Sequence, residues 1–504
     1  PAPIHSRSRL PSESRGKVYP HPLTEIAEHS SAEDTRSSSR IVWALAWPAV
    51  ALNSMQVINS LLDSAFIGHL DQAALTAYGG ITVVVFLLFS LAMSLSTGAT
   101  ALVARAYGAG QVEEFRTACR QSMGLSVVAG LLFAAIGVAT APFAARVFIP
   151  AEDTHAIALT TVFLMVFAAG LPAIYIIQTL AGSMRGIGDT KSPMVISGIQ
   201  IVLHILLNFV LIFPPRETSF GVTIPGFNLG LTGAATALTI SAWLAAVVYV
   251  VYSARTPLGA SWSVGRLYWS WASRILKIAI PAAVMAVLRV GSLAIFTLVL
   301  KSVENGSEAI AAMRPGFAIE SIMFMPSFGL SMAAAALVGQ SLGMKRPDRA
   351  ERLGWTAAHH AALVTLTVCI PIFAFAPEIA GFLIEGKPRI AAEAAMLLRY
   401  LCVTEIGFAY AMVLIGAMQG AGDTARPLWI TVIALWGLRV PLAAILALDA
   451  GQTLTRLNGF VISMPIGVGM GAAGAWIAMS ATQALQGILA VWQFKQGDWK
   501  KKEV

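Results

Sequence analysis

The stretch Ala181–Thr190, AGSMRGIGDT, governs the reading of this chain because it is written again as Ile415–Thr424, IGAMQGAGDT. Gly182, Met184, Gly186, Gly188, Asp189 and Thr190 recur at Gly416, Met418, Gly420, Gly422, Asp423 and Thr424, at a constant offset of 234 residues. Each copy closes a long apolar run, is followed within three residues by Pro193 or Pro427, and opens onto a second apolar run. The pattern predicts a helix, a tight turn and another helix, with glycine supplying the φ freedom and Asp-Thr capping the helix that follows. A turn alone would not need the same spelling twice. Two copies almost half a chain apart predict a duplicated bundle with two matched halves.

Of the 504 residues, 57% are hydrophobic and only 12% are charged, far outside the range of soluble proteins. The apolar runs reach about 20 residues or more, enough to cross roughly 30 Å of hydrocarbon as helices. They lack the alternation of barrel strands. The net charge of +8 does not point to nucleic acid, because the basic residues sit in short loops beside apolar runs, where they orient the protein in a membrane. Cys119, Cys369 and Cys402 have no motif spacing and read as buried free thiols.

Residues 1–40 are rich in Ser, Pro and charge and lack the apolar core of a signal peptide, so they read as a disordered cytoplasmic tail. Twelve spans follow, at 41–67, 74–102, 119–141, 156–182, 193–213, 231–253, 274–300, 309–339, 356–376, 392–418, 427–449 and 467–494. The duplication continues outward from the opening stretch. Pro48 in AWPAVAL answers Pro281 in AIPAAVM, ALVARAYGAG at 101–110 answers ALVGQSLGMK at 336–345, and Gly233-Ala234-Ala235 answers Gly471-Ala472-Ala473. Six spans repeat in the same order, and six is even, so the halves share one orientation, related by a pseudo-twofold axis along the membrane normal. The expected division is an N-lobe at 41–253, a cytoplasmic linker at 254–273, a C-lobe at 274–495 and a short cytoplasmic tail at 496–504. The excess of Lys and Arg on one side places both termini in the cytoplasm.

RGIGDTKSP with its echo QGAGDTARP, LLDSAFIGHL at 61–70 and ALVGQSLGMKR at 336–346 together resemble the multidrug and toxic compound extrusion (MATE) transporters over about residues 41–495, with the first-span spelling similar to the DinF-like branch. The resemblance implies an all-α, twelve-helix, two-lobe antiporter of the plasma (inner) membrane. It implies export of small organic cations and amphipathic drugs by alternating access, driven by H+ or Na+, with the protein acting as a monomer in lipid and without a cofactor. It also implies that Asp63 in the first span binds the coupling ion, with partners on the fifth. There the branch commonly carries an Asn followed four residues later by an Asp or Asn, whereas LHILLNFVLIF supplies His204 and Asn208. A titratable partner suits protons better than sodium.

An ionisable side chain at membrane depth costs several kcal/mol, which makes each one a functional candidate. The chain holds Asp63, His204, Arg289, Glu320, Glu405 and Arg439 inside its spans. In the second half two acids and two arginines can neutralise one another, with Arg289–Glu320 and Glu405–Arg439 as one pairing although the sequence does not fix the partners; a coupling role is the competing reading. Asp63 has no arginine at comparable depth, and its counterpart in span seven is Phe296. Asn53, Gln56, Asn59 and Asp63 follow helical spacing and form one polar face, read as cavity lining. Tyr175 and Gln178, after Pro172 in span four, are further cavity candidates at a proline kink. Met323, Phe324, Met325 and Phe328 fit a pliable drug-binding wall, a lipid-facing surface or packed core. His359 and His360 are adjacent, so they point about 100° apart and make a poor shared metal site.

Three other functions compete with export. A lipid-linked precursor flippase of related architecture would need a strongly basic cavity, whereas the buried charges here nearly balance. A membrane-embedded transferase would need an Asp-rich or HExxH constellation, which the sequence lacks, and neither GDT turn has the lysine of a phosphate loop. A scaffold would not need acids at membrane depth.

Overall fold

In hydrocarbon only a helix satisfies its own backbone N–H and C=O groups, and the apolar runs accordingly fold as helices. The computed structural model describes residues 33–217, 223–262, 265–451, 453–457, 460–463 and 466–503; most of the stretch assigned to the N-terminal tail lies outside them. The first lobe holds α1 (Glu33–Gly68), α2 (Gln72–Gly108), α3 (Val112–Phe148), α4 (Thr154–Gly186), α5 (Lys191–Ile212) and α6 (Gly230–Ala254). The second holds α7 (Trp269–Lys301), α8 (Gly306–Gly343), α9 (Pro347–Ala374), the short α10 (Ala376–Leu383), α11 (Pro388–Gly420), α12 (Ala425–Thr431), α13 (Val440–Ala447) and α14 (Gly471–Gln496). A π-helical segment, Val432–Arg439, joins α12 to α13 into one span.

Eleven of the described spans are apolar enough to cross a membrane by composition. The twelfth, α14, is 26 residues long. It is less apolar because it buries Ser480, Thr482, Gln483 and Gln486 against its neighbours. Large side chains such as Leu131, Leu132, Phe143, Leu206 and Val247 stand exposed on the outside, an arrangement suited to lipid rather than water.

The linker adopts a 3₁₀ turn at Pro257–Trp262 between α6 and α7. The duplication reaches the loops as well. An antiparallel hairpin of β1 (Arg216–Glu217) and β2 (Thr223–Ile224) joins α5 to α6, and one of β3 (Thr453–Leu457) and β4 (Phe460–Ser463) joins α13 to α14.

The repeated decapeptide makes the same turn in both lobes. Gly188 has φ +90° and Gly422 φ +87°, and the N–H groups of Asp189 and Asp423 bond the carbonyls of Met184 and Met418 at 2.9 Å. The Asp189 carboxylate accepts from the Ser192 N–H at 3.0 Å and caps α5, as the sequence led one to expect. In the second copy Asp423 instead pairs with the Arg426 guanidinium. Neither threonine caps its helix. Thr424 turns its hydroxyl to the carbonyl of Lys277 in α7 at 3.5 Å, the carbonyl that Pro281 cannot bond. Placing an L-residue at φ near +90° costs about 1–2 kcal/mol. Gly188→Ala and Gly422→Ala will therefore each lower the melting temperature of the purified protein, while Gly381→Ala, in open space at negative φ, will not.

The lobes are not packed as two separate bodies. Ile41, Val42 and Ala46, at the start of α1, are buried in a second-lobe core with Leu337, Leu353, Val413 and Phe494. Reciprocally Ala272, Ile275, Ile278 and Ala279, at the start of α7, are buried in the first-lobe core with Leu102, Cys119 and Met184. Each exchanged segment ends just before the matched proline, Pro48 or Pro281. On this same face, which bears both termini, the backbones of α2 and α8 meet. A Cβ at Gly108 would lie 2.8 Å from the Gln340 Cα and closer still to its carbonyl oxygen, and one at Gly343 would lie 2.9 Å from the Ala109 nitrogen. Further ties there are Gln340 Nε2 to the Gly186 carbonyl at 2.8 Å and Arg105 Nη1 to the Lys502 carbonyl at 2.6 Å.

Candidate functional site

Asp63 lies five residues before the end of α1, away from the closed face, where α1 packs on α5. His204 and Asn208 stand one turn apart on α5, so both side chains reach the same carboxylate. Asp63 Oδ1 lies 3.0 Å from His204 Nε2 and accepts from Asn208 Nδ2 at 2.8 Å, while Oδ2 accepts from Asn59 Nδ2 at 3.1 Å. His204 and Asn208 are also 3.1 Å apart through Nε2 and Nδ2. The Phe66 ring meets Phe209 edge-on at 4.8 Å and seals the apolar side of the cluster. The Asp63 side chain remains 22% exposed, so the carboxylate keeps an open side, and no guanidinium or ammonium contacts it among the described residues.

The buried oxygens Asn59 Oδ1 and Asn208 Oδ1 are left without partners, as is His204 Nδ1.

The rest of the α1 face divides. Asn53 is buried with Nδ2 unpartnered and Gln56 is exposed, so only Asn59 joins the Asp63 cluster. Tyr175 does not line a cavity. It is 1% exposed, stacks on Phe133 of α3 at 5.7 Å, and its carbonyl accepts from Ser126, all within the first-lobe core. Gln178 is half-buried, and its carbonyl accepts from Ser96 of α2 at 2.6 Å. Of the methionine-aromatic stretch, Met323 is fully buried core.

The second lobe gathers its own polar cluster from α7, α8, α11, α14 and the π segment. Glu320 Oε1 accepts from Gln483 Nε2 at 3.0 Å, Gln483 Oε1 accepts from Thr404 at 3.2 Å, and Arg439 Nε donates to Thr482 at 2.9 Å. Neither ion pair drawn from the sequence forms. Among the described residues, neither Glu320 nor Arg289 makes an ion pair. Glu405 is 1% exposed with both carboxyl oxygens unpartnered, so no arginine holds it. A bare carboxylate so placed is costly, and one proton removes that cost. The π segment was not anticipated. Its one sequence signal is Pro441, which cannot donate to the Gly437 carbonyl and so breaks the α-helical ladder beside Arg439.

Two matched helical lobes, embedded across a membrane and holding ionisable groups at membrane depth, define a transporter and not an enzyme. A family model, MatE, matches residues 48–210 and 281–445, once in each lobe and over more than half of the chain; the protein belongs to the MatE family. A probable multidrug resistance protein NorM of Thermotoga maritima is 28% identical over 466 residues, covering 91% of this chain and 93% of that protein. A protein of the same description from Acinetobacter baylyi is 26% identical over 468 residues, covering 90% and 95%. Among solved structures, the outward-facing conformation of a multidrug resistance MATE family transporter of the MOP superfamily superposes with a TM-score of 0.80 at 20% identity, covering 92% of this chain and 97% of that one. A MATE transporter from Vibrio cholerae gives 0.80 at 19% identity over 94% and 99%. These structural likenesses speak for the fold.

Proposed function

We propose that the protein is a secondary active exporter of organic cations and amphipathic compounds, working as a monomer in the plasma (inner) membrane, both termini cytoplasmic, and exchanging substrate for protons. The observation that carries this reading is the Asp63 carboxylate, tied to α5 through His204 and Asn208 and touched by no arginine or lysine among the described residues. In the conformation described the lobes meet where α2 and α8 end, which fits a transporter closed on that face. Uptake of a proton by the pair weakens the charge-assisted grip of α1 on α5 and favours the state that releases substrate outward. The drug-like substrate class follows from the multidrug resistance descriptions of the relatives.

Protons are favoured over sodium by what faces the carboxylate. Hard cations take oxygen ligands, as the calcium and magnesium sites of proteins illustrate. Here the groups that contact Asp63 do so through nitrogens, and the amide oxygens of Asn59 and Asn208 make no hydrogen bond. In inside-out vesicles at clamped membrane potential, a pH gradient will drive accumulation of a fluorescent organic cation and a sodium gradient will not. Accumulation driven by sodium alone would overturn proton coupling.

A further inference from the structure

A cluster that the coupling site does not use lies deeper in the second lobe. Met323 of α8, Cys369 of α9 and Cys402 of α11 bring three sulfurs together: Cys369 Sγ is 3.5 Å and Cys402 Sγ 3.6 Å from Met323 Sδ, so both thiols converge on one thioether. All three residues are buried, at 0%, 3% and 5% exposure. We propose that this sulfur triangle is a binding site for a soft monovalent metal ion of the Cu(I) or Ag(I) class, linking three helices of the second lobe.

The geometry suits such an ion. A metal about 2.3 Å from each of three sulfurs holds them about 4 Å apart, so each cysteine–methionine edge, at 3.5 and 3.6 Å, needs to widen by only about half an ångström. The donor set suits it too. Thiolate and thioether select soft ions, whereas zinc sites are closed by four nitrogen, sulfur or carboxylate ligands. Binding balances with one proton released. The S–H bond of one cysteine breaks and a metal–sulfur bond forms, while the other thiol and the thioether donate lone pairs, so the site's net charge does not change. A lone Cys–Met contact in a core is ordinary packing; two thiols and a thioether converging from three helices make a ligand set.

The test uses the full-length protein, reduced and reconstituted in nanodiscs, titrated with Ag(I) and with Cu(I) held by a competing chelator. One ion per chain is expected, with a raised melting temperature and, by X-ray absorption, three sulfur neighbours and no nitrogen or oxygen. Cys369→Ala or Cys402→Ala should weaken binding at least about 100-fold and Met323→Leu about tenfold, by the loss of one ligand; Cys119→Ala should change nothing. All four variants should still export organic cations, which certifies their folding. The proposal fails if binding and thermal shift persist unchanged in the Cys369→Ala and Cys402→Ala variants, or if no stoichiometric binding occurs. It fails equally if the unreduced protein holds the two cysteines as a disulfide that reduction leaves unable to take the ion.

Discussion

Asp63→Asn will reduce pH-driven accumulation of a fluorescent cation to the level of empty vesicles while leaving the protein folded. The amide is nearly isosteric, so the packing of α1 against α5, including Phe66 on Phe209 and Phe213, is retained. Its oxygen can still accept from Asn208, and the hydrogen bonds altered amount to about 1 kcal/mol each. What the variant cannot do is gain and lose a proton. Chromatographic behaviour and a melting temperature within a few degrees of the parent would certify the fold. Undiminished accumulation would remove Asp63 from the mechanism. Asp63→Glu keeps the chemistry but lengthens the reach to His204, and should retain part of the activity.

Gly343→Leu will abolish turnover by a different route. Its backbone lies against the Arg105–Ala109 turn of α2, in the other lobe, where an added Cβ would already sit 2.9 Å from the Ala109 nitrogen. A leucine there cannot be accommodated by moving a side chain, because the obstacle is main chain. It leaves the core of each lobe intact and denies the closed arrangement of the face bearing the termini, so the transporter stalls with that face open. Substrate binding measured in detergent should survive while vesicle transport is lost. Gly108→Leu, which meets the Gln340 backbone from the opposite side, should give the same result. Normal transport in either variant would mean that this closure is not part of the cycle.

Much of the architecture was legible because the chain states it twice. Twelve helices, two lobes and the glycine turns follow from the repeated decapeptide and the lengths of the apolar runs, and the observed helix ends mostly extend the expected spans by a few residues. The starts of α1 and α7 were not legible in the same way. An apolar run says that it is buried but not in which lobe, and nothing in Ile41 or Ile275 signals exchange. The Asp63 cluster was found because spacing along α5 brings His204 and Asn208 to one face and because the first span resembles the family. The second-lobe pairings failed for a physical reason. Opposite charges in a sequence suggest partners, but Gln483 and Thr482 of α14 satisfied Glu320 and Arg439 first, and Glu405 was left alone. Tyr175 was misplaced because a polar tip on a kinked helix resembles cavity lining, whereas its ring was claimed by Phe133. The sulfur triangle joins residues 46 and 79 positions apart, a separation that carries no motif.

The reciprocal burial of the first turns of α1 and α7 makes each half an obligate complement of the other. Cut between residues 254 and 269 and expressed alone, an N-terminal fragment would present Ile41, Val42 and Ala46 with no greasy socket to enter, and a C-terminal fragment would do the same with Ile275 and Ile278. Produced together, the two fragments should dock by trading those ends, much as swapped arms join a dimer. The ancestor implied by the repeat would then have met its twin through the same embrace, and fusion of the two genes would have made a mutual dependence permanent.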